Sequence, residues 1–212
     1  SSQSGWWLRG TGSYAELDDA HYSASGSAVG FDAPLDEQRT LGAAFGYSRT
    51  NADLQQGGLE LESYQLSLYG EWRLPVDAYL SGVAGLGYHQ LESSRSVAVG
   101  ALSSTAEADY DAWSGQAAME LGRSFAVHQS PNSISRMTPL FGLEYAHLQR
   151  SSFAEDATAG LNLRVENDRQ ASLCSAMGGR LSHARLTQGG MRIEPALELA
   201  WVHEFLDTGA SV

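Results

Sequence analysis

An all-β antiparallel barrel with one face in lipid is the fold this sequence predicts, and three observations predict it. The first is alternation of apolar and polar residues over runs too long for an ordinary sheet. The second is the placement of aromatic residues at the ends of those runs. The third is connections that alternate between short turns and longer polar segments. In the run Tyr64–Leu74, one parity carries Tyr64, Leu66, Leu68, Gly70, Trp72 and Leu74. The other carries Gln65, Ser67, Tyr69, Glu71 and Arg73. Strand side chains alternate between faces, so one face is apolar with aromatic ends and the other is mostly polar. From Tyr64 to Trp72, at roughly 3.4 Å per step and a tilt of about 40°, the strand rises roughly 21 Å along the barrel normal. The apolar band of an outer-membrane barrel is about 25 Å tall and is bounded by aromatic girdles.

Nine strands are expected. They are 6–17, 23–31 ending at the turn around Pro34 and Asp36, 39–54, 59–74, 78–92, 109–127, 137–149, 167–185 and 191–205. In the third, Leu41, Ala43, Phe45 and Tyr47 oppose Gly42, Ala44, Gly46 and Ser48. Gln55–Gly58 interrupts that pattern before the fourth strand. Pro75-Val76-Asp77 reads as a tight turn, where proline is tolerated because no ladder donor is needed. The fifth strand places Leu80, Ala84, Leu86 and Tyr88 on one face. In the sixth, Trp113, Ala117, Met119, Leu121 and Phe125 oppose Ser114, Gln116, Ala118, Glu120 and Gly122. His128–Ser135 is expected to be a loop, and in the seventh strand Phe141, Leu143 and Tyr145 oppose Gly142, Glu144 and Ala146. Gly189-Gly190 forms the turn into the ninth, whose Ile193, Leu197, Leu199, Trp201 and Phe205 oppose Glu194, Glu198 and Glu204. Longer polar segments fall at Ser93–Ala108 and around Glu155, while Pro75 and Gly189 mark short turns. Outer-membrane barrels distribute their outer loops and periplasmic turns in this way. No low-complexity linker divides the chain, so residues 1–212 are expected to form one domain.

Composition narrows the function. The chain has 212 residues, 18% of them charged, and a formal net charge of −12, with 13 basic residues that are all arginine. Nucleic acid is not an expected partner, because phosphate binding requires a basic stripe. The single cysteine, Cys174, permits no intrachain disulfide. No apolar run approaches the roughly 18 residues of a membrane-spanning helix, a requirement that barrel strands of about 9–11 residues escape. The six histidines, His21, His89, His128, His147, His183 and His203, show no ligand spacing for a metal. Neither a G-x-S-x-G elbow nor a nucleotide-binding glycine pattern is present. No catalytic residue, metal or cofactor is therefore expected.

Two sets of residues remain as candidates. Glu71, Arg73, Glu120, Glu144, Arg180, Glu194 and Glu198 share the polar parity. They either line a hydrophilic lumen that handles a polypeptide, or neutralise one another and fix strand register. Cys174 shares the parity of Ala176 and Arg180 and is expected inside. The aromatic girdle is expected to contain Trp6, Tyr64, Trp72, Tyr88, Trp113, Phe125, Tyr145, Trp201 and Phe205. His203, within W-V-H-E-F, is expected at the barrel rim.

The segments LGAAFGYSRTNADL, ESYQLSLYGEWR, AYLSGVAGLGYHQLESSR, AAMELGRSF, TPLFGLEYAHLQRSSFAED and PALELAWVHEFLD occur in order. In that series the chain resembles the autotransporter β-domains of type V secretion, from Trp6 to Asp207. The resemblance implies a twelve-stranded barrel in the outer membrane of a Gram-negative bacterium. It further implies that the barrel assists export and surface display of an N-terminal passenger domain of the same polypeptide. Outer-membrane lipid, that passenger and the barrel-assembly machinery are the implied partners. About nine of the twelve strands are covered here. A pore helix before the first strand and the last strands of the family pattern are missing from this sequence, so a trimmed or partial barrel is expected. An open set would leave edge groups unpaired in lipid, at several kcal/mol each. A porin-like or adhesin-type barrel without a passenger is one alternative. A soluble β-sandwich binding module is another, disfavoured because sandwich strands average about 5–6 residues.

Overall fold

A computed structural model describes residues 4–17, 20–54, 57–99, 102–151, 153–154, 156–157, 164–165, 168–187 and 189–206. Within them the chain forms antiparallel strands and no helix. In order these are β1 (Gly5–Leu17), β2 (Ala20–Pro34), β3 (Arg39–Leu54), β4 (Gly57–Leu74), β5 (Ala78–Val99), β6 (Leu102–Arg123), β7 (Phe125–Ser130) and β8 (Ser133–Arg150). Three two-residue pieces follow, β9 (Phe153–Ala154), β10 (Asp156–Ala157) and β11 (Arg164–Val165), before the long β12 (Asp168–Leu186). The last two are β13 (Arg192–Ile193) and β14 (Ala196–Glu204). The main sheet runs β1-β2-β3-β4-β5-β6-β8-β12, with β13 and β14 both on the far side of β12. Each long strand therefore pairs with the next long strand along the chain, an up-and-down meander, while the short β10 pairs with β6 and β9 with β11. β1 and β14 do not pair with one another among the described residues, so the sheet is open.

All nine expected crossings are present, and several boundaries move. The expected strand 109–127 is interrupted at Ser124, where the backbone N–H leaves the ladder to donate to Asp77 O at 2.9 Å. Strand structure then resumes through His128 to Ser130, which had been expected as loop, with a register shift between Ala126 and His128. The turn shrinks to Pro131-Asn132, held by Ser130 Oγ and Ser133. The ninth crossing is divided at Glu194-Pro195, because proline supplies no amide donor to the ladder. His183 N–H reaches Pro195 O at 3.0 Å there, which keeps the two strands together. In the polar segment Ser93–Ala108, residues 93–99 and 102–108 are strand, not loop. β5 and β6 continue past the apolar band as a paired ladder, in register from Ala78↔Arg123 to Val99↔Leu102, with β4 beside β5 as far as Arg95. Hydrogen bonding between the two strands satisfies the backbone there, so polar side chains do not end the ladder. Much of the expected loop around Glu155 lies outside the described residues.

At Pro75–Ala78, Val76 and Asp77 have φ of 61° and 57°. Two consecutive positive φ values make a type I′ turn, which matches the right-handed twist of the flanking strands. A β-branched residue is uncommon in that region.

Among the described residues there is no hydrophobic core of the ordinary kind: the buried apolar ones are Ala106, Ala108, Ala112, Leu140 and Ala184, and no large side chain there is fully enclosed. Large apolar side chains instead stand open on one face: Leu66 is 57% exposed, Leu68 63%, Leu121 48% and Leu199 71%. Nothing in the described chain packs over them. A sandwich would have buried these residues between two layers.

The inward face as candidate functional site

The polar face is concave. Trp7 on β1 donates its indole N–H to the Tyr69 hydroxyl on β4 at 2.7 Å, and their rings lie 6.4 Å apart. Three strand spacings of a flat sheet would separate those positions by about 14 Å. The sheet must therefore curl around this side. Tyr69 in turn donates to the Asp32 carboxylate on β2. Glycine makes room for the rings. A Cβ at Gly30 would lie 2.3 Å from Trp7, and one at Gly42 would lie 2.3 Å from the Tyr69 ring. Both glycines are cross-strand partners of the aromatic they accommodate.

Further along the same face, Tyr79 donates to Glu120 Oε1 at 2.5 Å. Arg180 Nε donates to Glu198 at 2.7 Å, and its other end lies 3.8 Å from Glu120. One guanidinium thus ties β6, β12 and β14 together. Glu71 and Arg73 pair at 3.7 Å on β4. A cavity of about 760 Å³ opens in front of these groups, reached from β2 to β14. Of the residues expected inside, Glu71, Arg73, Glu120 and Glu144 line it, as does Cys174. Arg180 and Glu198 join them through Glu120. Glu194 does not: it pairs with Arg192 at 2.5 Å near the Gly189-Gly190 turn, where the strand is broken.

Sequence reasoning put Tyr69 and Glu204 on the polar parity without singling them out as candidates, and it missed Trp7, Asp32, Tyr79 and His89. Trp7, Asp32, Tyr69 and Tyr79 form its hydrogen-bonded floor, and His89 bridges Ser63 at 2.9 Å and Ser114 at 2.8 Å. Glu204 accepts from the Cys174 thiol at 2.7 Å and from Ser172 at 2.5 Å. Trp7 had a signal, since of two adjacent tryptophans one must point inward. The others depend on which non-adjacent strands face one another. Among the described residues no group of three or more histidine, cysteine or acidic side chains is placed to hold a metal.

On the outward face, cross-strand register aligns Tyr47, Tyr64, Tyr88 and Trp113 in one row. Tyr47 and Tyr64 have ring centroids 5.2 Å apart, and Tyr88 and Trp113 5.0 Å. Toward the short-turn end, Trp72 and Phe125 lie beneath Arg39 and Arg123. Trp6 packs on Phe31 at 5.0 Å. Tyr145 is cross-strand to Ala117 on this face. His203 sits between Trp201, on which it stacks, and Phe205, which it meets edge-on.

The model of the autotransporter beta-domain family matches residues 6–212. The chain belongs to that family. Among solved structures, the translocator domain of the autotransporter NalP from Neisseria meningitidis superposes with a TM-score of 0.68 at 17% identity, covering 95% of this chain and 81% of that one. The beta domain of the Bordetella autotransporter BrkA gives 0.67 at 22% identity, covering 95% and 80%. Both show a shared fold. An extracellular serine protease of Serratia marcescens is 28% identical over 97% of this chain, and outer membrane protein A of Rickettsia conorii 25% over 74%. The chain spans 20% and 8% of those relatives' lengths. As an autotransporter β-domain, it is an outer-membrane translocator for passenger export in a Gram-negative bacterium.

Proposed function

We propose that the concave charged face is the wall along which a covalently attached N-terminal passenger travels or is held, while the outward girdle keeps the domain seated in lipid. The observation that carries this is the sidedness of the sheet. Large apolar residues stand uncovered on one face, and ion pairs, tyrosine hydroxyls and a water-accessible cavity occupy the other. Glu71, Arg73, Glu120, Glu144, Arg180 and Glu198 give that wall mixed charge. A wall of mixed sign binds no single sequence tightly, which suits transport of an extended chain. Trp6, Tyr64, Trp72, Tyr88, Trp113, Phe125, Tyr145, Trp201 and Phe205 act at the membrane interfaces, where rings with a polar edge are favoured. The barrel performs no catalysis, and its insertion is assigned to the barrel-assembly machinery of the outer membrane. Any enzymatic activity belongs to the passenger.

The test is site-specific photocrosslinking in cells, with a reporter passenger attached upstream. A crosslinking residue at Glu120 is expected to capture the passenger during export, and one at Leu66 to capture lipid. Protease added to intact cells should then degrade the displayed reporter. Equal passenger crosslinking from both positions would overturn the assignment of faces. A reporter retained in the periplasm behind a correctly inserted barrel would overturn the export role.

A further inference from the structure

The outward face is electrically lopsided. At the short-turn end it presents Arg39, Arg123 and Arg185, all exposed. Arg39 and Arg123 lie 4.9 Å and 4.7 Å over the Trp72 and Phe125 rings, which hold the guanidinium planes against the rim of the apolar band. Strand alternation puts Arg185 on the same face as Leu181, which is exposed. Partners are few. Arg39 has Asp36 at 3.6 Å, and Arg123 Nε donates to Val76 O at 3.1 Å. Arg185 makes no ion pair among the described residues. At the opposite end the same face carries Glu60, Glu62, Glu92, Asp109 and Asp111 in cross-strand rows just beyond the tyrosine row. Arg49 there is bound to Glu60 and Glu62, leaving Arg169 as the other outward arginine at that end among the described residues.

We propose that Arg39, Arg123 and Arg185 bind the phosphate groups of anionic phospholipids in the periplasmic leaflet, giving the domain a leaflet-specific lipid shell. This rests on the reading that the outward face meets lipid. Short turns mark the periplasmic end of such barrels. A guanidinium at the edge of the apolar band reaches the headgroup level while its stem stays against hydrocarbon. Planar donors match phosphate oxygens in pairs, and Nε of Arg123 being engaged by a carbonyl leaves its two terminal nitrogens to do this. The carboxylates of the other end repel the same headgroups. Arg39 and Arg123 stand three strands and two residues of register apart, and Arg123 and Arg185 two strands and six residues, or about 16 Å and 22 Å. Those spacings suit separate lipids better than one shared headgroup.

Native mass spectrometry of the full chain in detergent, titrated with phosphatidylglycerol or phosphatidylcholine, tests this. The wild type is expected to retain phosphatidylglycerol preferentially, with up to three tight adducts. Arg39→Gln, Arg123→Gln and Arg185→Gln should each remove one, and the triple variant should lower the preference roughly tenfold or more at low salt. Arg73→Gln, on the inward face, should leave it unchanged. If the triple variant fails to fold, judged by heat-modifiable migration, the single variants supply the answer. Equal retention of both lipids by the wild type, or an unchanged preference in the arginine variants, would overturn the proposal while leaving the membrane reading intact. Absence of any lipid adduct would overturn both.

Discussion

Gly42→Ala is the perturbation whose consequence the geometry defines most sharply. A methyl group there would sit 2.3 Å from the Tyr69 ring, so the ring must move by more than 1 Å to reach ordinary contact, roughly 3.5 Å or more. Movement of that size pulls the hydroxyl away from Trp7, which donates to it at 2.7 Å, and from Asp32. The neutral bond contributes about 1 kcal/mol and the charge-assisted one about 1.5 kcal/mol at a half-exposed site. Crowding adds about 1 kcal/mol, and the better strand propensity of alanine returns about 0.5 kcal/mol. A loss of about 3 kcal/mol is expected. Gly46→Ala is the matched control: it lies on the same strand and face, yet its Cβ would have neighbours no nearer than 3.8 Å. That substitution should be neutral or stabilise by about 0.5 kcal/mol. Urea unfolding of the domain refolded in vesicles, followed by tryptophan fluorescence, measures both. In the Tyr69→Ala background most of the Gly42→Ala loss should vanish, since the clashing ring is gone. Equal effects from the two glycine substitutions, or no coupling to Tyr69, would refute the reasoning.

Three further outcomes are expected. Replacing Val76-Asp77 by Asn-Gly relieves two positive-φ residues and should raise stability by about 1 kcal/mol, read as a higher urea midpoint. Leu68→Arg puts a charge in the middle of the lipid-facing band and should reduce folding free energy into phospholipid vesicles by about 2–4 kcal/mol. Ser67→Arg, one residue away on the inward face, should change it by no more than about 0.5 kcal/mol. Arg180→Met leaves Glu120 and Glu198 without their shared cation, destabilising by about 1–2 kcal/mol, and Glu120→Gln in that background should restore part of the loss in a double-mutant cycle.

Leu66, Leu68, Leu121 and Leu199 were assignable to one face from parity alone, because a strand has a two-residue period whatever surrounds it. Glu71, Arg73, Glu120 and Glu144 were legible as inward residues for the same reason. Parity could not distinguish Glu194 from them. Pro195 disrupts the strand beside it, and a local arginine takes its carboxylate. Residues 93–99 and 102–108 were misread because polar composition resembles a loop when the partner strand is unseen.

What the sequence determined by itself was the sidedness of the strands and the course of the long ones, since each is fixed by residues near one another in the chain. Only the tertiary structure decided the inward network. Trp7 meets Tyr69, and Arg180 meets Glu120, across strands that are not neighbours in the sheet. Those meetings depend on register and on how tightly the sheet curls. Both are set by the whole set of interstrand hydrogen bonds acting together, and no stretch of sequence contains them.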